Sequence, residues 1–260
     1  MERMFRHLAI LILLLSPAVA RAQPDASCAL LFANGQAPAL LNARLAERTS
    51  SLCYSAYAVM DSGVTRGALW SAEHPSAAGL AAAREIRRVN LFHPEYTLPS
   101  PDRAELADYT RSGFDRGHMT PSGDMPDPAA QEQSFSLANI VPQTAQLNRG
   151  VWVRIESAVR SLVKRRGEAY VVTGPAFQGA NLQQIGGRVL VPTSTWKAIY
   201  IPATGDAGAW SCTNTTTPEC TVLSVADLAA QTGVDPFPGL PQSVKVTLAR
   251  LPVPRSPRDP

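Results

Sequence analysis

The residues Asp115-Arg116-Gly117-His118, followed further along by Asn148 and Glu156, carry the densest chemical content of this 260-residue chain. A histidine titrates near neutral pH, so its neutral ring can accept a proton from water. Arg116, two residues before it, offers a planar cation that matches phosphate oxygens. An asparagine amide and a carboxylate are oxygen donors of the kind a hydrated magnesium ion takes. Together they point to metal-assisted hydrolysis of a phosphodiester.

Each of these residues also has an ordinary reading. His118 alone fits a structural histidine bonded to a loop. Asn148 fits an N-cap before Gly150 as well as it fits a metal ligand. By helical phase it lines up with Ile155 and Val159 and should face inward, where an unpaired amide costs roughly 1–3 kcal/mol. Glu156 lies two turns on and should lean back toward Asn148. It also suits an i,i+4 ion pair with Arg160. Beyond His7, the histidines are His74, His93 and His118, and their spacing builds no H-E-x-x-H or other two-histidine metal pair. A G-x-S-x-G elbow is absent as well, so zinc and serine hydrolases are disfavoured.

The elements that must position this set follow from periodicity and punctuation. Tyr54–Met60 and Thr65–Trp70 read as a hairpin around Asp61-Ser62-Gly63. Ser76 is placed to cap an alanine-rich helix reaching Arg88. Phe92–Tyr109 and Pro121–Gln133 read as proline-punctuated loops, Phe114–Thr120 as a short strand, and Ser134–Pro142 as another. Thr144–Arg166 is the clearest helix. Val151, Trp152, Ile155, Val159, Leu162 and Val163 form its stripe, and Gly167 ends it. Strand-like runs follow at Ala169–Thr173, Arg188–Val191, Thr195–Ile201 and Val244–Leu251. Without a βαβ rhythm, the expected class is α+β, an antiparallel β-sheet core flanked by helices.

The ends and the composition bound the setting. Arg3 and Arg6 precede the apolar run Leu8–Leu15, and small residues suit cleavage near residue 22, which reads as a signal peptide over residues 1–22. One domain over 23–251 and a disordered proline-rich tail over 252–260 are expected. The apolar run is too short to anchor the chain in a membrane, so export to the periplasm or the exterior follows. Losing residues 1–22 takes away three arginines and one glutamate, which lowers the formal charge from +3 to +1. Attraction to nucleic acid must then come from local clusters. Four cysteines in an oxidising compartment suggest Cys212–Cys220 across a short loop, leaving Cys28 for Cys53.

Phe114–Met119, the run Ser136–Gln143, Leu147-Asn148-x-Gly150-x-Trp152 and Glu156 together resemble the DNA/RNA non-specific endonuclease family from about Cys53 to Ile201. Met119-Thr120-Pro121 is a mild departure, since the family pattern has alanine at the second position. The resemblance implies a ββα-metal finger and cleavage of DNA and RNA through backbone phosphates, leaving 5′-phosphate ends. It implies His118 as general base, Mg2+ (or Mn2+) held directly by Asn148, and Glu156 acting on the ion through water. Asn139 would position the site, with Arg160 supporting it. Arg116 and an upstream arginine would contact the phosphate; spacing to Pro94 selects Arg88, with Arg84 and Arg87 close by. A protein inhibitor would be a natural partner. The rival expectations are an exported nucleic-acid-binding or uptake protein with a silent nuclease fold, and a phosphodiesterase for small esters.

Overall fold

The computed structural model describes residues 26–252, so the expected signal segment and residues 253–260 of the expected tail lie outside the described residues. Strands Thr49–Cys53 (β2), Tyr57–Ser62 (β3), Gly67–Glu73 (β4), Tyr170–Ala176 (β7), Ser194–Ile201 (β10), Asp206–Thr213 (β11) and Cys220–Leu223 (β12) form one sheet. Its order is β12-β11-β10-β7-β4-β3-β2, and every pairing is antiparallel. Three short ladders accompany it: Ala39–Leu40 (β1) with Val234–Asp235 (β13), Asp115–His118 (β5) with Ile140–Gln143 (β6), and Gln184–Ile185 (β8) with Val189–Leu190 (β9). The helices are Ala77–Ala83 (α1), Leu106–Tyr109 (α2), Pro128–Ser134 (α3), Trp152–Arg166 (α4), Val225–Thr232 (α5) and Gln242–Val246 (α6). The α+β class is thus observed, with β5, β6 and α4 as the two strands and helix of the finger.

The central strands are buried on both faces, which explains why β7 and β10 read as nearly continuous apolar runs. On one face Ala72, Val172, Ala198 and Trp196 pack with Trp70, Phe237 and the segment around Phe32. On the other, Val171, Ile199 and Trp210 meet Trp152, Ile155, Val159 and Val163 of α4. Fully burying each of those four α4 side chains is worth about 1.5–3 kcal/mol, enough to fix the helix against the sheet. This second face also carries polar residues at alternate positions: Ser71 and Glu73 on β4, Thr173 on β7, Thr195 and Lys197 on β10. They lie beneath the finger. At Gly174 a side chain would collide with the Trp196 ring and the Leu69 carbonyl, so only glycine lets that tryptophan lie across the strand.

Several expectations need correction. Residues 128–134, expected in a loop, form α3, because Asp127 caps it by accepting from the Ala130 N–H and Pro128 suits the first turn. The Ser134–Pro142 strand is shortened to Ile140–Gln143 and is preceded by a tight helical turn, Leu137–Asn139. Val244–Leu251 is no strand; α6 occupies Gln242–Val246, led by Pro241. The alanine-rich helix does start at Ser76, whose side chain accepts from Gly79, but it stops at Ala83 rather than Arg88. The long helix is interrupted at Leu147–Val151 by a wider turn whose Trp152 N–H reaches back to the Leu147 carbonyl. The hairpin turn lies later than expected, β3 running to Ser62 with a register shift at Met60/Asp61. Both disulfides, Cys28–Cys53 and Cys212–Cys220, are present as expected.

Candidate active site

His118 closes β5, opposite Ile140 on β6. Its ring packs with Phe92 and Phe135 in a three-ring cluster, their centroids 5.3 Å and 5.0 Å away and 4.9 Å from each other. The residue is buried, and Nε2 makes no hydrogen bond to the protein. Burial, reinforced by the nearby Arg88 cation, pushes the imidazole pKa down to about 3. The ring is therefore neutral across the physiological range.

Two arginines rest on the same aromatic pair. Arg88 lies 5.3 Å from the Phe135 centroid, and its Nε donates to Asn90 Oδ1 at 2.7 Å. Arg116 lies 4.5 Å from the Phe92 centroid and is otherwise exposed. Such stacking holds a guanidinium in place while leaving N–H donors free for an incoming phosphate. Arg84 and Arg87 are exposed on the loop leading to Arg88. Of the three, Arg88 is the one whose charge is felt by both His118 and Glu156.

Asn139 locks the segment that follows the histidine. Its Oδ1 accepts from the Thr120 N–H at 3.0 Å, and its Nδ2 donates to the Thr120 and Ser134 carbonyls. Gly117 is required by packing, because a Cβ there would overlap the Gln143 amide group.

Asn148 is not an N-cap. Thr144 fills that role, its Oγ1 accepting from the Leu147 N–H while its carbonyl accepts from the Asn148 N–H. Nor is Asn148 fully inward, as helical phase predicts; the wide turn at Leu147–Val151 shifts the phase and leaves it half-buried. Its Nδ2 donates to Asp115 Oδ2 at 3.0 Å, so the side-chain carbonyl oxygen is not the atom that Asp115 engages. Asp115 also accepts from Arg149 Nε at 2.7 Å. Burial alone would raise the Asp115 carboxyl; the hydrogen bonds from Arg149 and Asn148 outweigh it and hold it below the usual range. Asn148 is thereby tied to the first residue of the strand that ends in His118.

Glu156 approaches Arg160 Nη2 at 3.6 Å, so the expected i,i+4 pair exists. Burial raises its carboxyl, opposed by the charges of Lys197, Arg160 and Arg88. Arg160 is shared with the buried Asp124. Among the described residues no group of three or more His, Cys, Asp or Glu side chains is placed to hold a metal. A cation here would rest on few protein oxygens and keep much of its water, and the Asn148 carbonyl and the Glu156 carboxylate are oxygen donors of the kind such an ion takes.

Sequence reasoning passed over Asp115 as a partner of Asn148, although it stands inside the motif. It also passed over Phe92 and Phe135, which nothing in their own loops distinguishes, and the buried Lys197.

Proteins of known activity carry related sequences. The model of the DNA/RNA non-specific endonuclease family matches residues 40–243. Nuclease C1 of Cunninghamella echinulata var. echinulata is 38% identical over 149 residues, 53% of this chain and 59% of that protein. Mitochondrial endonuclease G of Bos taurus is 34% identical over 152 residues, 54% of this chain and 50% of that protein. The matches span about half the length of these curated relatives. A crystal structure of an EndoG/EndoGI complex, solved to explain EndoG inhibition, aligns with a TM-score of 0.63 at 25% identity, covering 71% of this chain and 84% of that one. A match across most of the described residues, joined to a finger of two strands and a helix carrying the motif, establishes that the chain belongs to the DNA/RNA non-specific endonuclease family.

Proposed function

We propose that this chain is an exported, divalent-metal-dependent endonuclease that hydrolyses phosphodiester bonds of DNA and RNA with little sequence preference, leaving 5′-phosphate ends. The observation that carries this reading is a buried neutral histidine, flanked by two ring-stacked arginines, on the strand whose first residue binds the Asn148 amide. Asn148 would hold a magnesium ion, with manganese as a substitute, through its carbonyl oxygen, and Glu156 would act on it through water. Held there, the ion would supply positive charge to neutralise the scissile phosphate and polarise its leaving oxygen.

The chain's own groups do the rest. His118 takes the proton from the attacking water, a role its neutral ring supports. Arg88 and Arg116 stabilise charge that builds on the phosphoryl oxygens. Asn139 keeps the His118 segment from shifting, while Arg160, itself held by Asp124, pairs with Glu156. These contacts reach backbone phosphate rather than base edges, which is why sequence preference should be slight. The apolar leader expected over residues 1–22 and the two disulfides support an oxidising, exported setting. The likeness to EndoG held in an inhibitory complex makes a protein inhibitor a compatible partner.

The test is plasmid digestion by the purified chain with and without EDTA, beside His118→Ala and Asn148→Ala. Metal-dependent nicking is expected, with each variant at least ~100-fold slower. Undiminished cutting by either variant rejects the role given to that residue, and no cutting by the native chain rejects the function.

A further inference from the structure

We propose that Lys197 is a positioning residue for this reaction, fixing the backbone beneath His118 and supplying the charge that faces Glu156 from inside the sheet. This rests on the nuclease reading above. Lys197 stands in the middle of β10 and is 1% exposed. Lysine is almost never buried to this degree without an anionic partner bonded to it. Here both hydrogen bonds of Nζ go to neutral oxygens: the Met119 carbonyl at 3.2 Å and the Thr173 hydroxyl. The ammonium also lies 5.6 Å from the centre of the Trp152 ring, at the start of α4.

Both halves of the site meet at this one group. Met119 directly follows His118, and its N–H donates to the Asn139 carbonyl at 2.9 Å. Thr120 is gripped by Asn139 and by the Ser71 hydroxyl at 2.7 Å. Lys197 holds the remaining peptide oxygen of that segment, so the histidine cannot translate without breaking its bond. Burial lowers the Lys197 pKa, opposed by the charges of Glu73, Glu156 and Asp124, with Arg160 as the other cation among them. An ammonium buried on neutral acceptors loses its hydration and is costly relative to a packed apolar residue. A methionine would fill the volume, so stability gives little reason for a lysine. Holding a carbonyl and a carboxylate on opposite sides of a reaction site gives one.

The purified full chain, Lys197→Met and the double variant Lys197→Met/Glu73→Gln separate positioning from stability. Lys197→Met alone takes from the buried Glu73 one of the two cations that offset its burial and should lower the melting temperature; the double variant removes that acid as well, so its melting temperature should return toward that of the native chain. Both variants are expected to lose at least ~10-fold in kcat on plasmid DNA, with KM within about twofold of native. The NMR resonances of the His118 ring should shift in both, a readout independent of turnover. Native kcat in a folded variant, or His118 resonances at their native positions, overturns the proposal. Failure of both variants to fold does so too, because it assigns Lys197 to stability alone. If the native chain itself cuts no DNA, the nuclease reading falls, and the ring resonances still decide whether Lys197 positions His118.

Discussion

His118 owes its chemistry to what surrounds it. Two aromatic rings exclude solvent and Arg88 adds a repelling cation, so the ring is held neutral down to about pH 3. An unfolded chain's histidine gains its proton near pH 6.5. As the pH falls below 6.5 the unfolded state binds the extra proton first, so stability drops progressively until about pH 3. Native protein should therefore show a melting temperature that falls across this window, and His118→Gln should flatten that part of the curve. An identical slope in the variant contradicts the buried neutral ring. Asp115 belongs at the same scale. By accepting from Asn148 Nδ2 it fixes which end of the amide meets the strand. Asp115→Ala is expected to raise the Mg2+ concentration for half-maximal cleavage roughly 10- to 100-fold, as loss of an orienting outer partner does. Direct titration with Mn2+ should show the same weakening, and unchanged metal affinity would remove Asp115 from the site.

At the scale of elements, the finger depends on close approach between β5 and β6. Gly117 pairs with Val141, and the Gln143 side chain lies where a Cβ on residue 117 would sit. Gly117→Ala should lose about 1–3 kcal/mol to overpacking, read as a lower melting temperature. A second change, Gln143→Ala, should recover much of it; no recovery would mean that the glycine serves something other than this contact. The same ladder shows what periodicity misses. α3 was hidden because Pro128 read as a breaker and α6 because Val244–Leu251 read as a strand, whereas Pro128 and Pro241 each stand at or just before a first helical turn, where the missing N–H is no loss. The helix at 144–166 was legible from its stripe. Its wide turn was not, because one extra residue leaves the apolar pattern downstream intact while rotating Asn148 away from the core.

For the whole molecule, the Cys28–Cys53 bridge joins a segment outside the sheet to its edge strand β2. Closing a loop of 25 residues is worth about 3.5 kcal/mol by the chain-entropy model. Replacing both cysteines by serine should lower the melting temperature while leaving kcat within about twofold, since the bridge lies away from the finger; a matching collapse of kcat would tie this segment to the site. What the amino-acid order determined by itself was the set of reactive types and their spacing, the antiparallel α+β class, the α4 stripe and the cysteine pairs. All of these follow from local periodicity or from short-range covalent geometry. Only tertiary structure decided that His118 is uncharged, that Asp115 holds Asn148, that Arg88 and Arg116 rest on the aromatic rings beside it, and that Lys197 lies beneath them. Solvent exclusion and charge proximity come from residues far apart in the chain, 33 positions for Asp115 and Asn148 and 78 for Met119 and Lys197, and no one-dimensional pattern records which of them meet.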